Sequence, residues 1–193
     1  MLALQGDYEA HRKMLVEHLG IESPLVRTVQ ELDSVDGLII PGGESTTIGK
    51  LMDKHGILEP LRNQAAAGKP VYGTCAGLIL MAREIEGSDQ TRLGLMDVTV
   101  ARNAFGRQVD SFEADVPIPE IGGSVRGVFI RAPYVSRVGE SVQDLGRFDN
   151  RTVVVRQGNL LGSAFHPELT DDPRLHQYFA DIIRDAKTRE PKP

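Results

Sequence analysis

The chain has 193 residues, of which 40% are apolar, with 27 acidic and 22 basic residues and a net charge of −5. This balance is typical of a globular protein that can bury a full core, and it excludes a disordered chain. The lack of a basic excess argues against a nucleic-acid-binding protein. We expect one domain over residues 1–193.

The cellular location is predicted from the cysteine content and the apolar runs. The chain has one cysteine, which cannot form an internal disulfide, so the sequence gives no sign of an oxidising compartment. The apolar stretch at residues 1–4 is too short for a signal peptide. No apolar run approaches the roughly 20 residues that a membrane helix needs. We therefore expect a cytoplasmic protein.

The first half of the chain alternates strand and helix patterns. Strands are predicted at residues 2–4, 24–28, 37–40 and 70–74, and helices at 8–19, 46–54, 57–67 and 76–83. Thr28 and Glu31 predict a capping box at the start of one further turn of helix. This alternation predicts parallel strands joined by helical crossovers, and such sheets bind ligands at the carboxyl ends of their strands.

The second half is richer in strands. They are predicted at residues 96–102, 108–116, 125–130, 152–156 and 160–165, before a closing helix at 175–186. Few helices separate these strands, so we expect an antiparallel section. The predicted fold is α/β and three-layered, with a mostly parallel sheet, flanking helices and an antiparallel section.

The strongest sign of chemistry is the segment Gly73-Thr74-Cys75-Ala76-Gly77, which lies between a predicted strand and a predicted helix. Small residues permit the tight strand-to-helix turn of a nucleophile elbow. The helix N-terminus would stabilise a thiolate, and the Ala76 N–H could bind an oxyanion. The alternative is a buried structural cysteine, but the glycine frame favours a nucleophile.

A nucleophilic thiol needs a base, and His166 is the preferred histidine of five. It follows a predicted strand, and Glu168 lies two residues on, so both side chains point the same way in extended backbone. Glu168 could then orient the ring, which completes a Cys-His-Glu triad. The alternative is a strand end with a surface carboxylate. We interpret the other histidines as parts of helix faces or helix ends: His11, His18, His55 and His176.

The segment Pro41-Gly42-Gly43-Glu44-Ser45 lacks the Gly-Lys-Ser/Thr ending of a phosphate-binding loop. Its glycine pair suits a close approach to substrate, with the Gly43 N–H as a second oxyanion donor. The spacing of histidines and cysteines fits no zinc site. We expect neither a metal nor a bound cofactor.

These three segments resemble the class I glutamine amidotransferases, in the order typical of that family. Within that family the chain more closely resembles the glutaminase subunits of pyridoxal 5′-phosphate synthases, and the resemblance covers nearly all of it. Four further segments carry this closer resemblance: Leu4-Gln5-Gly6, Arg102-Asn103-Ala104-Phe105-Gly106-Arg107-Gln108, Ser111-Phe112-Glu113 and Phe129-Ile130-Arg131-Ala132-Pro133.

The resemblance implies a role for each matching residue. Cys75 would be the nucleophile, His166 the general base and acid, and Glu168 the residue that orients it. Gly43 and Ala76 would supply oxyanion donors. The glutamine pocket would be lined by Gly43, Glu44, Ser45, Arg102, Ile130 and Arg131. A guanidinium binds a carboxylate in a fork, so Arg102 or Arg131 suits the α-carboxylate of the substrate.

The resemblance also implies a partner. Members of this family hydrolyse L-glutamine to L-glutamate and pass the ammonia to a separate barrel subunit, the synthase. They are typically weak glutaminases until docked. Pyridoxal 5′-phosphate would then be the product of the complex and not a cofactor of this chain.

Two other functions stay open. One is the glutaminase of a different amidotransferase, or a cysteine hydrolase on the same fold. The other is a non-catalytic assembly or regulatory subunit, against which the intact triad argues.

Overall fold

The protein is built around a mixed β-sheet. The computed structural model describes residues 1–102 and 111–189, and within these ranges ten strands form one eight-stranded sheet and one two-stranded hairpin. The strands are β1 Leu38–Ile40, β2 Val71–Thr74, β3 Ala82–Ile85, β4 Met96–Ala101, β5 Ser111–Ile118, β6 Gly123–Ile130, β7 Tyr134–Val138, β8 Gln143–Phe148, β9 Arg151–Gln157 and β10 Leu160–Ser163.

Helices cover both faces of the sheet. The α-helices are α1 Tyr8–Lys13, α2 Val29–Asp33, α3 Ser45–Lys54, α4 Leu58–Ala66, α5 Ala76–Met81 and α6 Arg174–Arg189. A π-helix at Met14–His18 continues α1, and 3₁₀ turns occur at Pro119–Ile121 and Pro167–Leu169. None of the helices in the described ranges has the length and apolar character to cross a bilayer.

The sheet order is β1-β2-β10-β9-β7-β4-β3, and β8 pairs with β9. Strands β1, β2 and β10 are parallel to one another, and β3 is parallel to β4. The remaining neighbours are antiparallel: β10 with β9, β9 with β7, β7 with β4, and β8 with β9. The separate hairpin, β5–β6, is antiparallel. The α/β fold class with parallel and antiparallel sections is therefore confirmed.

Strand β2 lies at the centre of three layers. Neighbouring residues on a strand point to opposite faces. The Tyr72 ring lies 5.5 Å from the Phe179 ring of α6, between ring centroids, on one face. On the other face, a Cβ at Gly73 would lie 2.5 Å from the backbone of Gly77 and 2.7 Å from the sulfur of Met81, both on α5. Helices α5 and α6 thus sandwich the sheet.

Several predicted boundaries were wrong. The predicted strands at 2–4 and 24–28 reduce to one parallel bridge between Leu2 and Val26. The helix predicted at 76–83 stops at Met81, because Ala82 is extended and pairs with Met96. Strands β3, β7 and β8 were not predicted. Strand β3 has a buried-exposed-exposed-buried pattern rather than the alternation that signals a strand.

Other predictions hold. Thr28 and Glu31 form the predicted capping box, with the Thr28 side chain accepting from the Glu31 N–H and Glu31 accepting from the Thr28 N–H. The closing helix is present as α6. Of the strand predicted at 108–116, residues 108–110 lie outside the described ranges, and the rest falls in β5.

Candidate active site

Three segments singled out in the sequence meet at one edge of the sheet. The glycine turn follows β1, Cys75 follows β2, and His166 lies three residues after β10. These three strands are adjacent and parallel, so their carboxyl ends lie side by side. The topology therefore brings together residues that are up to 125 positions apart, from Pro41 to His166.

Cys75 occupies the tight turn that its small neighbours predicted. Its backbone is left-handed, with φ 47° and ψ −101°, a strained conformation of the kind found at nucleophile elbows. Its N–H donates to the Ser163 carbonyl of β10 at 2.8 Å. A Cβ on Gly77 would lie 2.2 Å from the Ile40 carbonyl oxygen, so only glycine lets α5 approach β1 this closely.

His166 is held by its backbone and by its ring. Its N–H donates to the Val128 carbonyl of the hairpin at 2.8 Å. Its Nδ1 lies 2.8 Å from Oε1 of Glu168, as the two-residue spacing predicted. The Cys75 side chain lies close enough to the ring to raise the pKa of His166. A Cβ on Gly42 would come within 2.3 Å of the ring, so the glycine turn packs directly against the imidazole.

The electrostatics favour a charged His166 beside a charged Glu168. Burial alone lowers the pKa of His166, but hydrogen bonds and charges from Cys75 and Glu168 outweigh it and raise that pKa. Burial alone raises the pKa of Glu168, but His11 and then His166 lower it well below its ordinary value. An ionised Glu168 can therefore stabilise an imidazolium at His166.

His11 and His176 lie in helices α1 and α6, as the sequence predicts, but His11, which was interpreted as part of a helix face and not of a site, contacts Glu168. Both histidines are fully buried, directly behind the triad. The His11 Nδ1 lies 2.8 Å from Nε2 of His176, and the His11 Nε2 lies 3.0 Å from Oγ1 of Thr74 and 3.3 Å from Oε2 of Glu168. Burial and the nearby His11 lower the pKa of His176 to about 3, which keeps that ring neutral.

The Cys75 sulfur borders a cavity of about 500 Å³, a size suited to a small ligand. It is lined by Gln5, Asp7, Gly42, Gly43, Glu44, Ser45, Cys75, Ala76, Ile79, Arg102, Ile130, Arg131, His166 and Leu169. Every site residue predicted from the sequence lies on this wall except Glu168, which is buried behind His166. Ala76 is the first residue of α5, so its N–H has no partner within the helix.

The two predicted arginines border the cavity from different sides. Arg131 follows β6 and adopts a left-handed backbone, with φ 44°. Arg102 follows β4, and its Nη1 donates to the side-chain oxygen of Gln90 at 2.9 Å. The Gln90 amide donates in turn to Oγ of Ser45 at 3.0 Å. Sequence reasoning missed Gln90, which ties Arg102 to the start of α3.

The carboxylate of Glu44 stabilises the start of helix α3. The side chain caps α3 by accepting from the N–H groups of Thr46 and Thr47 at 3.1 and 2.7 Å. Hydrogen bonds from Thr47 and Thr46 lower the pKa of Glu44 despite slight desolvation. Its own N–H donates to Oε1 of Gln5 at 2.9 Å, so the N-terminal segment braces the glycine turn.

Two further predictions from the sequence concern the segment Arg102–Gln108 and the metal content. Of the segment Arg102–Gln108 that carried much of the resemblance, residues 103–108 lie outside the described ranges. Within residues 1–102 and 111–189, His, Cys, Asp and Glu side chains form no group of three or more that could hold a metal ion.

A buried cysteine, histidine and glutamate at the carboxyl edge of an α/β sheet define a class of enzyme sites that use a thiol nucleophile. Comparisons with known proteins narrow this class. Residues 1–185 match the SNO glutamine amidotransferase family. A solved glutamine amidotransferase crystal structure is 51% identical, covers 95% of this chain and 97% of its own, and has a TM-score of 0.91.

Two curated relatives are similar over nearly their whole length. Both are named pyridoxal 5′-phosphate synthase subunit PdxT. The relative from Halalkalibacterium halodurans is 55% identical over 97% of this chain and 95% of its own. The relative from Carboxydothermus hydrogenoformans is 56% identical over 95% of this chain and 96% of its own. The chain therefore belongs to the SNO glutamine amidotransferase family.

Proposed function

We propose that this chain is the glutaminase subunit of a pyridoxal 5′-phosphate synthase, with one glutaminase domain over residues 1–193. The observation that carries the proposal is the cavity in which Cys75 meets His166, with Glu168 hydrogen-bonded behind the imidazole. Membership of a glutamine amidotransferase family supports L-glutamine as the substrate.

Substrate binding relies on the arginines at the cavity wall. Arg102 and Arg131 lie where either guanidinium could bind the α-carboxylate of glutamine in a bidentate fork. Gly43, Glu44, Ser45 and Ile130 complete the pocket around the rest of the amino acid. The side-chain amide of glutamine then points toward Cys75.

The chemistry proceeds in two stages. His166 takes the proton of the Cys75 thiol, and the sulfur attacks the side-chain amide carbon. The N–H groups of Ala76 and Gly43 stabilise the resulting oxyanion. His166 donates a proton to the departing nitrogen, which leaves as ammonia, and a thioester remains on Cys75. His166 then takes a proton from water, which attacks the thioester and releases L-glutamate and the free thiol. Glu168 orients the ring throughout.

The fate of the ammonia follows from the relatives. They are named as subunits of a pyridoxal 5′-phosphate synthase, and the resemblance implies that a separate barrel subunit receives the ammonia. Pyridoxal 5′-phosphate is then a product of the complex. A nucleophile that must stay reduced fits a cytoplasmic location, where thiols are kept free.

The test is L-glutamine hydrolysis by the chain alone and mixed with the synthase subunit of a relative. We expect glutamate release that rises on addition of the partner, and ammonia incorporation into the synthase product. The proposal fails if neither mixture hydrolyses glutamine although binding of the partner is demonstrated. A glutamine-mimicking electrophile separates other hydrolases, since a glutaminase should be labelled selectively at Cys75.

The arginine fork predicts a defect in substrate binding. Arg102→Leu should raise KM for L-glutamine about 10- to 100-fold with a smaller change in kcat, because a charged hydrogen bond contributes about 1.5–3 kcal/mol. Steady-state kinetics of the complex measure this. Arg83→Leu is the matched control, because Arg83 is exposed and pairs with Asp97 away from the cavity. Equal KM values for both variants would exclude Arg102 as a carboxylate ligand.

A further inference from the structure

His11 is a fully buried, titratable side chain that the hydrolysis above does not use. We propose that His11 is a positioning residue, which holds the Glu168 carboxylate by the oxygen that His166 leaves unused and ties it to the strand that carries Cys75. This inference rests on the proposed function, because it assigns a role within the same reaction.

The two oxygens of Glu168 face two different histidines. Oε1 lies 2.8 Å from Nδ1 of His166, and Oε2 lies 3.3 Å from Nε2 of His11. Among the described residues, Oε2 is buried and has no hydrogen-bond partner, so its contact with the His11 nitrogen is an ion-pair contact. A buried carboxylate with one oxygen uncompensated is costly, so the His11 ring is the group that keeps this carboxylate in place.

The His11 Nε2 must carry a hydrogen, because a lone pair there would face an ionised carboxylate. The same nitrogen lies 3.0 Å from Oγ1 of Thr74, the residue before Cys75. This one nitrogen therefore contacts both Glu168, which orients the base, and the strand end that carries the nucleophile. Displacing this ring would let the His166–Glu168 pair shift relative to Cys75.

The other groups around His11 fix its ring without adding charge. Across the described chain, its polar partners are Glu168 from the 3₁₀ turn, Thr74 from β2 and His176 from α6. His176 is the neutral ring at Nδ1 of His11. Beyond it, the Tyr72 ring lies 6.2 Å from the His176 ring, and its hydroxyl bonds Oγ of Ser163. Glu168 is thus the anion that His11 faces.

Two substitutions separate the two sides of the His11 ring. In His11→Gln the side-chain amide nitrogen replaces Nε2 and can still donate to Glu168 and Thr74. In His11→Asn it replaces Nδ1, so the contact with His176 is kept and that with Glu168 is lost. Both variants place a polar amide in the same buried site. Met14→Ala is the control for destabilisation, since Met14 is buried one turn along the same helical segment.

The experiment measures kcat, KM and the pH profile of each variant in complex with the synthase subunit, alongside the free energy of unfolding. His11→Asn should lower kcat about 10- to 100-fold, as removal of outer partners of an active group does. KM should stay unchanged. His11 lowers the pKa of Glu168, so its loss should raise that pKa. The acidic limb of the profile of kcat against pH should therefore move to higher pH. His11→Gln and Met14→Ala should stay close to the unmodified chain in kcat.

The proposal is overturned if His11→Asn and His11→Gln have equal kcat, or if Met14→Ala reproduces the loss and the shifted acid limb. If either His11 variant fails to fold, nitrogen NMR of the unmodified chain tests whether Nε2 of His11 carries a hydrogen. Finding no hydrogen on Nε2 would also overturn the proposal. Turnover of L-glutamine by the unmodified complex separates the proposed function from the role of His11. Absence of turnover rejects the proposed function, while the NMR result still tests the contact of His11 with Glu168.

Discussion

Cys75→Ala should abolish glutamine hydrolysis, with kcat reduced by about 10⁴-fold or more, as when the nucleophile of a triad is removed. Alanine has no atom that can form the thioester with the substrate carbonyl. Glutamate release by the complex measures the effect. The substitution should leave the fold intact, since alanine is smaller than cysteine and apolar.

Binding supplies the control for this variant. Cys75→Ala should still bind L-glutamine and the synthase subunit, because the arginines and the glycine turn are untouched. Calorimetry of both interactions shows whether the variant has lost only the catalytic step or also binding. Turnover retained in Cys75→Ala would mean that another group attacks the amide, and the assigned mechanism would be wrong.

Glu168→Gln should lower kcat about 10³- to 10⁴-fold with KM little changed, in line with losses seen when the third member of a triad is altered. The amide has nearly the same shape as the carboxylate but cannot stabilise an imidazolium at His166. Its NH₂ group could also donate to Nδ1 and hold the ring in the wrong tautomer. Steady-state kinetics of the complex give both constants.

The matched control for this variant is Asp172→Asn. Asp172 lies four residues on and pairs with Arg174 at 2.6 Å, outside the cavity. Its amide should leave kcat within a few-fold of the unmodified chain. If Glu168→Gln were no slower than Asp172→Asn, the carboxylate would serve only to hold the turn after β10.

The sequence predicted the parts of the fold and site that depend on local geometry. Cys75 could be placed because a tight elbow needs small residues, and Gly73 and Gly77 supply them. Glu168 could be paired with His166 because two residues of extended backbone bring side chains to one face. Both arguments use only neighbours in sequence.

The rest depended on distant contacts. His11 was missed because the apolar face of the first helix was assigned from Met14, Leu15, His18 and Leu19. The turn there is a π-helix, which changes the angular spacing and leaves His18 exposed. A signal existed, since His11 precedes Met14 and Leu15 by three and four residues, the spacing of one helix face. His176 stands likewise three residues before buried Phe179.

Strands β7 and β8 were missed for a similar reason. Strand β7 gains its neighbours from β4 and β9, and β8 pairs only with β9 in the described chain. Such pairing depends on which strand lies alongside, and short polar strands carry little of the alternation that reveals them. The role of Gln90 likewise depends on Arg102 and Ser45, which are far from each other in sequence.

The amide of Cys75 donates to the carbonyl of Ser163, and the amide of His166, three residues further along the chain, donates to the carbonyl of Val128. Backbone hydrogen bonds thus anchor both reactive residues at the end of β10. The distance between their backbones depends on the pairing of parallel strands, while side-chain contacts such as that of His11 with Glu168 orient the imidazole. Loss of the pairing between β2 and β10 would therefore separate the thiol from the imidazole. Measured glutaminase activity would therefore report whether β2 and β10 are still paired.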